Sequence, residues 1–123
     1  MSGKQEITLR VGGVEVNDYT ATSTFTTDAL EWEDLDGFSI NVWFPVLNGT
    51  DPQPTIDIEV SNTPDLLSFN PLINPLNTQL TDLNIPALWN MGSVNAKYIR
   101  FVYKSTGVNL GSTVTFNLTK LVD

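Results

Sequence analysis

A chain of 123 residues with a net charge of −8, no histidine and no cysteine fits a single domain spanning residues 1–123. At that length roughly two-thirds of the surface exposed by the unfolded chain can be buried, while the missing His and Cys remove the usual zinc and iron ligand sets and every Ser-His-Asp or Cys-His nucleophile. The carboxylate excess opposes binding to nucleic acid, where affinity comes from Lys and Arg neutralising phosphates, and there is no run of about 18 apolar residues to cross a bilayer.

The opening MSGKQEITLR has no apolar central region of the kind a secretory signal needs, so synthesis and assembly in a cytoplasm are expected. Ile7, Leu9 and Val11 alternate onto one face, and the Gly12-Gly13 pair then permits a turn before Val14 and Val16. Tyr19–Thr27 is rich in threonine, strand-forming by β-branching but poor in large apolar groups, which predicts an edge or solvent-facing strand.

Phe38, Ile40 and Val42 point inward in the next alternating run, which must bulge, bend or end at Trp43-Phe44-Pro45 because proline donates no ladder hydrogen bond. NGTDPQP, residues 48–54, is a turn cluster. After it Ile56, Ile58 and Val60 face inward with Asp57 and Glu59 between them, the cleanest alternation in the chain.

Residues 61–95 break the pattern, with Pro64, Pro71, Pro75 and Pro86 and the repeat NPLI-NPLN at 70–77 excluding a helix interior or a central strand. A long loop of this kind is usually functional, so its apolar side chains are expected to cap the core from one end or to face a neighbouring subunit. Two alternating runs follow at residues 97–120, read as a terminal hairpin. Ile99, Phe101 and Tyr103 face inward on one strand, and Val114, Phe116 and Leu118 on the other. With no sustained 3.6-residue periodicity anywhere, the expected fold is all-β, an antiparallel jelly-roll-like β-sandwich of seven to eight short strands with one long Pro-rich loop.

Three features invite a chemical reading. DALEWEDLD, residues 28–36, holds five carboxylates in nine positions, enough oxygen for calcium, but its spacing matches no EF-hand loop and a solvated acidic face is expected. Glu31, Glu33, Asp57 and Glu59 could flank a glycosidic bond only if folded into one cleft. Trp32, Trp43 and Trp89 with Tyr19, Tyr98 and Tyr103 could form a sugar-binding platform, though aromatics in so small a chain mostly build core. Asn48-Gly49-Thr50 and Asn117-Leu118-Thr119 match the N-glycosylation pattern by chance. No catalytic residue, cofactor or metal ligand is assigned, and an enzyme is not expected.

Four of the six basic residues lie at 97–120, and none lies between Arg10 and Lys97. Arg100 and Lys104 ride the outer face of their strand, where they pair either with Asp57, Glu59 or the 28–36 cluster, or with the acidic face of an identical neighbour. The expected subunit-contact residues are Asn70, Pro71, Leu72, Ile73, Asn74, Pro75 and Leu76 of the proline repeat, Arg100 and Lys104, and Val108, Asn109 and Leu110 at the hairpin tip.

DGFSINVW at 36–43, a strand ending VSN at 60–62, AKYIRFVY at 96–103 and a Gly-turn hairpin finishing in Lys120 together resemble β-sandwich virion structural modules of bacteriophages, found among head-decoration, spike and tail components. Those modules continue Ser-Asn with Asp-Gly and a tryptophan, whereas TPDLLSF follows here, and their hairpin turn is tighter than STGVNLGST. The resemblance implies a non-enzymatic virion protein, assembled in the host cytoplasm, forming a homo-oligomer, with a trimer favoured, and packing on other virion proteins. The Tyr-Ile-Arg strand also resembles discoidin-like sugar-binding domains, which implies a carbohydrate-binding module for host attachment as the alternative and a glycan as a possible partner.

Overall fold

The computed structural model describes residues 3–31, 37–71, 87–91 and 96–122 of the chain. Its strands are β1 (Gly3–Ile7), β2 (Arg10–Val11), β3 (Val14–Glu15), β4 (Tyr19–Thr20), β5 (Phe25–Thr26), β6 (Leu30–Glu31), β7 (Phe38–Val46), β8 (Thr55–Ser61), β9 (Asn70–Pro71), β10 (Ala87–Met91), β11 (Tyr98–Lys104) and β12 (Thr113–Val122), with one 3-10 turn at Leu66–Ser68.

Ten of these strands fill eight positions in two antiparallel sheets. In the first, β1 and β4 share one edge end to end beside β12, followed by β7 and β10. In the second, β5 and β6 share an edge beside β11, followed by β8 and β9. The chain changes sheet between β4 and β5, β6 and β7, β7 and β8, β9 and β10, β10 and β11, and β11 and β12, which is the connectivity of a jelly roll. The expected all-β antiparallel sandwich is therefore what the chain forms.

Period-two alternation builds the core. Ile40, Ile56, Ile58, Ile99, Phe101, Tyr103, Val114 and Leu118 are fully buried between the sheets, each stabilising by about 1.5–3 kcal/mol relative to exposure. Phe25 stacks on Tyr103 with ring centroids 4.8 Å apart, and Phe38 meets Phe101 edge-on at 6.1 Å. Pro45 sits in a bulge: Trp43 opposes Thr115 and Val46 opposes Thr113, leaving two β7 residues against one on β12. The Gly12-Gly13 pair closes a two-residue hairpin, β2–β3, with φ of 55° and 86°. Only residues tolerant of positive φ suit that primed turn.

One prediction fails. Residues 97–120 do not form a hairpin, because β11 pairs with β8 whereas β12 pairs with β7 in the opposite sheet. The eight residues 105–112 form an arch between the sheets, whose inward faces share one core. The Thr-rich run likewise divides, with β4 on the edge of one sheet and β5 on the edge of the other. Thr27 is buried just beyond β5, and its hydroxyl accepts a hydrogen bond from the Phe101 amide at 2.9 Å where the edge ladder is interrupted.

Candidate functional site

The outer face of the β11 sheet carries the basic residues, and its register explains them. Arg100 lies opposite Glu59, and its Nε donates to Glu59 Oε1 at 2.7 Å with Nη2 at the same distance. The Phe69 ring lies 4.1 Å from the guanidinium carbon on its other side. Lys104 reaches diagonally to Asp57 at 3.3 Å. Both cations therefore pair within the chain, with the partners named first among the expected alternatives.

The arch residues are held just as firmly. The Asn109 amide donates to the Asn48 carbonyl at 2.8 Å, the Gln53 amide to the Thr106 carbonyl at 2.7 Å, and the Asn48 amide to Ser112 Oγ at 2.7 Å. Ser105 Oγ donates to the Thr22 carbonyl at 3.2 Å. Three connections, 21–24, 47–54 and 105–112, are thus laced into one rim at one end of the sandwich. Glycine is required where they cross: a Cβ on Gly49 would overlap the Gly107 carbonyl, and Gly107 itself has φ +74° with Asp51 and Pro52 backbone atoms within about 3 Å of where its Cβ would stand.

The expected contact residues separate into groups. Val108 is 8% exposed and belongs to the core, so it does not project as a tip residue; the arch turns its side chain inward under the Gly49 bridge. Leu110 stands 86% exposed on the rim, beside Asn109. Asn70 and Pro71 form β9, opposite Val60 and Glu59, so Pro71 lies in the row that contains Arg100 and Asn70 in the next, with Ile99. Leu72, Ile73, Asn74, Pro75 and Leu76 lie outside the described residues. Leu66 and Leu67, 70% and 94% exposed on the 3-10 turn beside Phe69, add an apolar patch at that edge.

The aromatics considered for a sugar-binding platform are dispersed among the described residues. Tyr103 is buried, its hydroxyl donating to the Ala21 carbonyl at 2.9 Å, and burial raises its pKa. Tyr19 packs on Phe25. Tyr98 and Trp43 point outward from opposite sheets, while Trp32 and Trp89 have no described side chains. Of the acidic segment, Glu33, Asp34 and Asp36 lie outside the described residues. Asp28 has a structural task, accepting the Gly12 and Gly13 amides at 2.8 and 2.9 Å and so fastening the β2–β3 turn. Among the described residues no group of three or more acidic side chains could hold a metal ion, and no helix is long and apolar enough to cross a membrane.

A groove that the sequence does not announce lies on the outer face of the β12 sheet. Its volume is about 210 Å³, and Glu6, Glu15, Asn17, Trp43, Thr115 and Asn117 supply its polar and aromatic lining. These residues come from β1, β3, the following turn, β7 and β12, so no local motif could reveal it. Thr115 carries a strand signal only, and Asn117 a strand signal and a glycosylation pattern.

No protein-family model matches the sequence, and no curated protein sequence matches it either. Solved structures share the fold. The SPBc2 prophage-derived protein YomS superposes with a TM-score of 0.56 at 11% identity, over 99% of this chain and 96% of that one. A chain in the structure of infectious bursal disease virus, Gx strain, gives 0.57 at 11% identity over 98% of this chain. This chain spans 32% of that viral chain's length.

Proposed function

We propose that the protein is a non-enzymatic structural subunit of a bacteriophage particle, a jelly-roll block that self-associates, as a trimer or another closed oligomer, and decorates or stabilises a head, spike or tail. The observation that carries this reading is the rim: three loops locked by backbone hydrogen bonds present Leu110 almost fully exposed on a rigid support. Such a preorganised apolar projection loses little entropy on docking. Support also comes from the origin of both structural neighbours, one from a prophage and one from a virus. Leu66 and Leu67 beside Pro71 offer a second apolar surface.

Sedimentation across a concentration series, with and without particles from the encoding phage, tests the proposal. Self-association or particle binding that Leu110→Asp weakens at least about tenfold is the expected result. A monomer at every concentration with no affinity for particles contradicts it.

A further inference from the structure

We propose that the groove on the outer face of the β12 sheet binds a neutral pyranose ring, so that the particle component also carries a glycan site. The site is independent of the assembly reading, because it stands on a different surface from the rim. Trp43 opposes Thr115 across the β7–β12 ladder. Its ring is half-buried, forming one wall of the groove.

Asn117, half-buried, and Glu6, exposed, line the same groove. Thr115 Oγ1 accepts from the Asp18 amide at 2.8 Å and approaches Asn17 Oδ1 at 3.5 Å, which orients the Asn17 amide nitrogen as a remaining donor. On the opposite sheet the β8 and β11 side chains neutralise one another; here amide, hydroxyl and carboxylate groups line a groove.

That combination has one natural ligand chemistry. The electron-rich face of an indole attracts the polarised C–H bonds on the apolar side of a sugar ring, and the ring's hydroxyls each need a donor and an acceptor, which amides and a carboxylate supply. The volume of about 210 Å³ lies below the ~300–1,000 Å³ of sites for drug-sized ligands. It suits one ring at the end of a chain. Glu15 is paired with Arg10 at 3.6 Å, and the remaining carboxylate on the wall, Glu6, repels an anionic ligand. The sugar is therefore neutral, and sialic acid is rejected.

The test is a titration of the nitrogen-15-labelled full chain with methyl glycosides of glucose, galactose, mannose and N-acetylglucosamine, and separately with sialic acid, following the amide resonances. At least one neutral sugar should shift the signals of Glu6, Asn17, Trp43 and Asn117 saturably, with sialic acid at least about tenfold weaker. Trp43→Ala and Asn117→Ala should each weaken binding at least about tenfold, and Trp43→Phe should restore part of it. If Trp43→Ala does not fold, Asn117→Ala and Glu6→Gln decide. The proposal is overturned if no neutral sugar shifts those signals, if the substitutions leave binding unchanged, or if sialic acid binds equally well.

Discussion

The two outer faces of the sandwich carry polar residues in opposite conditions. On the β11 sheet, Arg100 and Lys104 face Glu59 and Asp57 and are satisfied within the chain. On the β12 sheet, Trp43, Asn117 and Glu6 line a groove, with Trp43 and Asn117 half-buried and Glu6 exposed. The difference shows that concentration of charge is a poor guide to a binding surface. A matched register can convert a basic strand into structural support, while the other face keeps a polar and aromatic groove open.

The comparison can be broken from several sides, starting with the core both faces share. Phe101→Ala, at a position with no exposure, should cost about 4 kcal/mol in denaturant unfolding. A loss below about 1 kcal/mol would mean that the two sheets do not pack as described. Arg100→Ala should cost about 2 kcal/mol, because it removes a charge-assisted hydrogen bond and the Phe69 contact together. A neutral effect on folding alongside weakened assembly would turn that face into an interface.

Tyr103→Phe should cost about 1 kcal/mol by leaving the Ala21 carbonyl without its donor. Tyr103 also predicts a pH dependence. Burial raises its folded-state pKa above the unfolded value near 10, so its contribution is present below that pH and is lost as pH rises beyond it. Wild type should therefore lose stability above about pH 10 more steeply than Tyr103→Phe, by up to about 1.4 kcal/mol per pH unit. Parallel curves would show that Tyr103 is not protonated against the bulk. The smallest effect belongs to Lys104→Ala, about 0.5 kcal/mol or less, since its pair with Asp57 is half-exposed. A double-mutant cycle with Asp57→Ala measures it.

Much of this fold could be read from the residues. The inward sets Ile56-Ile58 and Ile99-Phe101-Tyr103 follow from strict alternation, and Pro45 announces the bulge that re-registers β7 against β12. The pairing of β11 and β12 could not be read. Adjacent strands usually pair, and only tertiary structure shows that residues 105–112 cross the ~10 Å between sheets instead of folding back. Val108 was misplaced for the same reason, since a hairpin tip points outward and an arch can point inward. The partners of Arg100 and Lys104 depended on which strand lies beside β11, which alternation does not encode. The groove was invisible because its lining joins residues as distant as Glu6 and Asn117.

Cryo-electron microscopy of particles produced from the genome that encodes this chain tests the central claim most directly. The account predicts density for the eight-position sandwich on the head, spike or tail, repeated by the particle's symmetry, with the 105–112 rim and Leu110 buried against a neighbour. Particles in which the sandwich is absent, although the protein is expressed, would contradict it.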